Sequence, residues 1–83
     1  MKKKEKKTIE QQFGETLRQL RAQKGLSQEE LGFESGYHRT YISLLERGKK
    51  SPSIKTIFQL ANALNIKPSE LIELMQVDSE TFK

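Results

Sequence analysis

Four hydrogen-bonding side chains recur on one side of a short predicted helix near the middle of the chain. They are Arg39, Thr40, Ser43 and Arg47, and their spacing places them on one half of a helical wheel. A guanidinium only donates hydrogen bonds, whereas a serine or threonine hydroxyl both donates and accepts. This set of side chains favours binding to a polar or anionic partner.

The distribution of charge supports the same interpretation. Residues 39–55 contain five basic residues and one acidic residue, and residues 1–7 (MKKKEKK) contain five lysines and one glutamate. Residues 8–38 contain three basic and five acidic residues, and residues 56–83 contain two basic and four acidic residues. Each of these segments therefore has a net charge of −2. A basic block beside acidic segments is typical of a polyanion-binding face. A solvated surface with a basic tail would have the same composition, and charge alone does not separate the two.

Several classes of function lack the residues they need. The chain has no cysteine and a single histidine, His38, so we expect no disulfide, no metal site and no cofactor. It has no paired nucleophile and base and no phosphate-binding glycine loop, so we expect neither an enzyme nor a small-molecule ligand. No apolar run reaches the length of a signal peptide or membrane span, which predicts a cytoplasmic protein without a membrane partner.

The 83 residues predict one small all-α domain of five helices. Residues 1–7 are too polar to bury anything and are predicted to be a disordered basic tail, residues 8–75 the folded domain, and residues 76–83 a flexible tail. Helix starts are indicated by capping residues and a proline: Thr8, Ser27, Ser53 and Pro68. Helix ends are indicated by residues that tolerate positive φ: Gly25, Gly36, Gly48 and Asn65.

Apolar residues at helical spacing predict the core and an interface. The first predicted helix carries one stripe, which consists of Ile9, Phe13, Leu17 and Leu20. Gly32 interrupts the second helix at a cost of about 1 kcal/mol relative to alanine, which indicates a close approach of another helix. The last helix has more apolar residues than one stripe needs, and we expect it to form a homodimer interface: Leu71, Ile72, Leu74 and Met75.

The chain resembles the phage-repressor (Cro/cI-like, or XRE) family of helix-turn-helix regulators over residues 13–75. The matching text is LRQLRAQKGLSQEEL, SGYHRTYISLLERGKKSPS and LANALNI, and it combines two capping residues and two glycines with apolar stripes in register. The sequence departs from the family at three positions. Gly32 stands where alanine is commoner, Ser35 where an apolar residue is usual, and Asn65 where glycine is more usual.

The resemblance implies that a recognition helix at about residues 38–47 enters the major groove. It assigns base contacts to Arg39, Thr40 and Ser43. It assigns a phosphate contact to Gln28, and further candidates for such contacts are Tyr41, Arg47, Lys49, Lys50 and Ser51. Tyr41 is equally compatible with a packed position, and Lys49 and Lys50 with an ordinary loop.

The implied function is a homodimeric transcription regulator or repressor that binds a palindromic operator in double-stranded DNA. Its two recognition helices would lie about 34 Å apart. The run HRTYISLLERGKKSPSIKT is also similar to the controller proteins of restriction–modification systems. The alternative is a protein-interaction module on the same fold, such as an antitoxin or adaptor. The basic segment argues against it, because a protein-binding face is expected to be more aromatic and apolar.

Overall fold

A computed structural model of the protein describes residues 6–78 and Thr81. Within this part of the chain there are five α-helices and no strand: α1 (Ile9–Gln23), α2 (Gln28–Ser35), α3 (Arg39–Glu46), α4 (Ile54–Ala63) and α5 (Pro68–Leu74). The predicted all-α fold of five helices is confirmed. The tails predicted at 1–7 and 76–83 lie partly outside the described residues, and the proposed domain limits stay a prediction.

Local side-chain caps define where α1 and α2 begin. The Thr8 hydroxyl accepts the Gln11 N–H at 3.0 Å, and the Gln11 side chain accepts the Thr8 N–H at 2.8 Å. Ser27 and Glu30 form the same reciprocal pair at 2.9 and 2.8 Å. Each reciprocal pair of this kind, a capping box, satisfies two backbone donors that a helix start otherwise leaves free. The helix starts predicted from the capping residues Thr8 and Ser27 are therefore confirmed.

One apolar core joins all five helices. Its fully or nearly fully buried members are Phe13, Leu17, Leu20, Leu31, Ile42, Leu45, Leu60, Ala61, Leu64 and Leu71. The predicted stripe on α1 is wrong at its first position, because Ile9 is 39% exposed at the start of the helix. Burial of these side chains stabilises the domain by about 1.5–3 kcal/mol for each large aliphatic or aromatic residue.

The turn between α2 and α3 sets the position of the third helix. Gly36 closes α2 in the left-handed region at φ 82°, which a residue without Cβ adopts readily. A Cβ on Gly32 would collide with the carbonyl oxygen of Tyr37 and lie 3.3 Å from the amide nitrogen of Arg39. The close approach predicted for Gly32 is confirmed, and the backbone that approaches is the turn and the start of α3.

The polar residue at position 35 is accommodated within its own helix. Ser35 is buried, and its hydroxyl donates to the carbonyl oxygen of Leu31 at 2.7 Å. A buried hydroxyl is costly only when it lacks a partner. The serine therefore fits where the family usually has an apolar side chain.

The environment of α5 corrects part of the predicted interface. Leu71 is fully buried in the core of the protomer, and Met75 packs partly against that core, so Leu71 is not available to a second subunit. Ile72 and Leu74 are 48% and 55% exposed.

No helix in the described part of the chain is long and apolar enough to cross a membrane.

Candidate nucleic-acid interface

The two faces of α3 have opposite environments. Ile42 and Leu45 are fully buried and fix the helix to the core, whereas Arg39 and Thr40 are exposed at its first turn. The ring nitrogen Nδ1 of His38 accepts the Thr40 N–H at 3.0 Å and caps the helix. The exposed end of the helix is the end that carries Arg39 and Thr40, two of the residues assigned to base contacts.

Arg39 is an exposed cation at the start of α3. Its side chain is 65% exposed and lies 3.8 Å from the carboxylate of Glu29, which is itself 78% exposed. An ion pair this exposed contributes little, because water and salt screen it and both side chains lose freedom. The guanidinium is therefore free to exchange this carboxylate for another acceptor.

Ser43 on α3 and Arg47, the residue that caps the C-terminal end of α3, are four residues apart and contact each other. The Nε–H of Arg47 donates to the Ser43 hydroxyl at 3.3 Å, and Ser43 is half-buried while Arg47 is exposed. This bond is long for an N–H···O contact and is easily given up. Both residues stay candidates for DNA contacts, with Arg47 the more accessible.

Tyr41 is partly packed against neighbouring side chains, which is one of the two environments that the sequence allowed. It is half-buried, its ring centroid is 5.0 Å from that of Tyr37, and its hydroxyl is 3.4 Å from the Thr56 hydroxyl. The Tyr37 hydroxyl donates to the side chain of Gln59 and lies 3.0 Å from Thr56. These contacts connect the recognition helix to α4. A phosphate contact by the Tyr41 hydroxyl would have to replace or share its contact with the Thr56 hydroxyl.

The loop after α3 is basic and exposed at Lys49 and Lys50. Ser51 in the same loop has a partner: its hydroxyl donates to a carboxylate oxygen of Glu10 at 2.6 Å. This hydrogen bond is the main cause that lowers the pKa of Glu10 below its ordinary value of 4.5. Because Ser51 is paired with a carboxylate, it is a less suitable phosphate donor than the two lysines.

Gln28 belongs to a polar network that the sequence did not reveal. Its side-chain Nε2 donates to Glu46 Oε1 at 3.0 Å. Arg21 donates to the same carboxylate through two nitrogens, at 2.5 Å to Oε2 and 3.0 Å to Oε1, and to the Leu26 carbonyl oxygen at 2.8 Å. The hydrogen bond with Glu46 raises the pKa of Arg21. The one signal in the sequence was that Glu46 is the only acidic residue between Arg39 and Lys55.

The exposed side of α2 has the opposite charge to the neighbouring basic segment. It carries Glu29, Glu30 and Glu34 around Phe33, whose side chain is 85% exposed. Three carboxylates repel a phosphate backbone, so this acidic face marks a border of the surface available to DNA.

Comparison with known proteins agrees with this geometry. The sequence model of the helix-turn-helix family matches residues 17–71. The control protein C.BamHI of Bacillus amyloliquefaciens is 41% identical over 66 residues, which cover 78% of this chain and 82% of that protein. The chain is also similar to the crystal structure of the restriction-modification controller protein C.AhdI from Aeromonas hydrophila, with a TM-score of 0.73. The two sequences are 50% identical, and the match covers 75% of this chain and 94% of that one. The clp gene regulator ClgR from C. glutamicum is 29% identical, with a TM-score of 0.82 and coverage of 88% and 94%.

Two short helices, α2 and α3, joined by a glycine turn within a five-helix domain form a helix-turn-helix motif. The chain belongs to the XRE-type helix-turn-helix family, and it is a DNA-binding transcription regulator. The resemblance read from the sequence is confirmed. The individual base and phosphate contacts stay predictions.

Proposed function

We propose that this protein is a cytoplasmic, homodimeric regulator that controls a restriction–modification operon by binding a palindromic operator. The observation that carries the DNA-binding part is the orientation of α3. Ile42 and Leu45 are buried while Arg39 and Thr40 are exposed at the helix start, which is the end that contacts bases when a helix lies in the major groove. The similarity to C.BamHI and C.AhdI supports the control of a restriction–modification operon.

In this proposal, base reading belongs to the start of α3. Arg39 donates to O6 and N7 of a guanine, and Thr40 bonds a base edge or contacts a thymine methyl group. Ser43 contacts a base one turn later. Each good bidentate pair discriminates against a wrong base by about 1–3 kcal/mol.

Phosphate contacts surround this helix. Gln28 is the first residue of α2, where backbone amides and the helix dipole favour an anion. Arg47, Lys49 and Lys50 are exposed directly after α3 and supply the cationic contacts. Such contacts fix the position of the protein on DNA and make binding depend on salt.

We place the dimer interface at α5, centred on Ile72. Residues two apart on a helix point to opposite sides, and Leu74 lines a groove with Gln12 and Thr16 of α1, so Ile72 and Leu74 do not share one face. Helix α4 packs against α5 and exposes Ile54 and Phe58 at 75% and 58%. These two residues lie one turn apart on a common side of α4, and we propose that they extend the interface.

Selection of bound fragments from random double-stranded DNA tests the function. The expected result is an inverted repeat whose half-site centres lie about 34 Å, or one helical turn, apart. The same sequence is expected upstream of the gene for this protein and of neighbouring restriction or methylation genes.

Each part of the proposal has its own contrary outcome. No enrichment, together with no gel retardation of genomic DNA at micromolar protein and low salt, contradicts DNA binding. A single site without symmetry contradicts the dimer. A site far from any restriction or methylation gene contradicts control of such an operon.

A further inference from the structure

We infer that Glu46 is a positioning residue that orients the side-chain amide of Gln28 toward a DNA phosphate, and that Arg21 neutralises Glu46 so that it does not repel that phosphate. This inference rests on the proposed phosphate contact of Gln28. It adds two residues, one of them acidic and buried, to the machinery that holds the DNA backbone.

The orientation follows from the hydrogen-bonding capacity of the two groups. An ionised carboxylate only accepts hydrogen bonds, so the amide of Gln28 must turn its NH2 group toward Glu46 Oε1, 3.0 Å away. An amide NH2 has two hydrogens, and this bond uses one. The second hydrogen stays on a group whose rotation is now fixed. A donor held in advance in this way loses less conformational entropy when a phosphate binds.

Glu46 is itself rigidly held. Its side chain is 3% exposed and that of Arg21 is 16% exposed, and the two form a bidentate pair. Arg21 also donates to the Leu26 carbonyl oxygen at 2.8 Å, in the loop that leads into α2. The carboxylate therefore joins the end of α1, the start of α2 and the end of α3 in one network.

The charges explain why an acidic residue is compatible with this place. A lone carboxylate near the start of α2 would repel a phosphate and would compete with it for the region that favours anions. Paired with Arg21, the group has no net charge, and its remaining effect is geometric. Charged side chains are buried in proteins mainly when they are paired and hydrogen-bonded, so the ion pair with Arg21 also accounts for the low exposure of Glu46.

The test compares three proteins on the duplex obtained by selection: the native chain, Gln28→Ala, and the pair Arg21→Met/Glu46→Leu. Apolar replacement of both partners of a buried ion pair is often tolerated, whereas removal of one partner is not. Thermal melting verifies folding of each variant. Backbone phosphates of the duplex are then replaced one at a time by uncharged methylphosphonates, and the affinity is measured for each.

The native protein is expected to lose affinity by about tenfold when one particular phosphate is neutralised, which is the usual effect of one hydrogen bond to a charged group. Gln28→Ala and the paired variant are both expected to bind about tenfold more weakly and to lose most of the sensitivity to that phosphate, since the backbone amides of α2 remain. A purely structural role would lower affinity but leave the sensitivity in place. If the paired variant keeps its sensitivity to the phosphate while Gln28→Ala loses it, the role of Glu46 and Arg21 is overturned and the phosphate contact of Gln28 stands. If Gln28→Ala keeps this sensitivity, the phosphate contact of Gln28 and the inference built on it are both overturned.

A second measurement uses the native protein and needs no variant. The side-chain NH2 of Gln28 is expected to exchange with water at least several-fold more slowly than that of Gln23, an exposed glutamine at the end of α1. Equal exchange rates for the two amides would mean that Glu46 does not hold Gln28 in solution, which overturns the inference.

Discussion

Gly14 lies so close to the end of α3 that a Cβ atom at its position would be 2.6 Å from the carbonyl oxygen of Glu46. The Leu45 carbonyl oxygen is at least as close. Helix α1 therefore packs against the last turn of α3 backbone to backbone. The same turn carries the carboxylate that contacts Arg21 and Gln28, so the separation of these two helices also determines the geometry of that network.

Gly14→Ala is expected to destabilise the domain by about 1–3 kcal/mol, because α1 must move away from α3 to admit the methyl group. An alanine inside a helix otherwise stabilises by about 1 kcal/mol relative to glycine, so the sign of the effect is diagnostic. Urea unfolding measures it, and Gln19→Ala, at an exposed position of the same helix, is the control. An increase in the free energy of unfolding for Gly14→Ala would show that the helices do not meet as closely as described.

The sequence predicted what depends on local spacing. Thr8 with Gln11 and Ser27 with Glu30 are three residues apart, so the caps that begin α1 and α2 are encoded within one turn. The cost of a glycine inside a helix correctly predicts that another segment approaches Gly32 closely. The same argument applies to Gly14, whose close neighbour is the end of α3.

The sequence could not predict contacts between distant segments. The pair of Arg21 and Glu46 spans 25 residues, and no local pattern shows which arginine meets a particular glutamate. The burial of the α5 side chains was equally hard to predict, because apolar residues recur at helical spacing both in a protomer core and in a subunit interface. Leu71 and Ile72 are adjacent in sequence and similar in chemistry, yet one is fully buried and the other half exposed.

Arg39→Ala is expected to cost about 1–3 kcal/mol in affinity for the selected duplex and to relax the preference at one base pair. The reason is the loss of a bidentate donor at the exposed start of α3. Titration of duplexes that carry each of the four base pairs at every half-site position measures this. Arg18→Ala removes an exposed cation on α1 and is the control. Equal losses of affinity for selected and random duplexes would argue against base reading by Arg39.

Lys49→Ala is expected to weaken binding to all duplexes similarly and to reduce the slope of log K against log salt by about 0.9. The lysine would release one condensed counterion when it contacts a phosphate. Gln28→Ala, which removes an uncharged donor, is expected to weaken binding without a change in slope. Lys24→Ala, an exposed lysine at the end of α1, is the control for total charge. An unchanged slope in Lys49→Ala would be evidence against a phosphate contact there.

Ile72→Glu is expected to shift the protein toward monomer, because it introduces a charge into the apolar centre of the proposed interface. Sedimentation equilibrium over a range of concentrations measures the change. Phe58→Glu tests the contribution of α4 and is expected to act in the same direction. Phe33→Glu alters an exposed aromatic residue on the acidic face of α2 and is expected to leave the dimer intact. A stable Ile72→Glu dimer would exclude α5 as the interface.

The hydrogen bond from Ser51 to Glu10 is expected to make a small part of the stability depend on pH. It lowers the pKa of Glu10 in the folded protein below 4.5, so its contribution is present above that value and is lost as the pH falls through the lowered pKa. Ser51→Ala should therefore be less stable than the native protein near neutral pH, and the difference should shrink as the pH is lowered past 4.5. Urea midpoints over this range measure it. In a Glu10→Gln background the same substitution should give a difference that does not vary with pH. A native-to-variant difference that persists unchanged in acid would assign the effect of Ser51 to the loop itself and not to the carboxylate of Glu10.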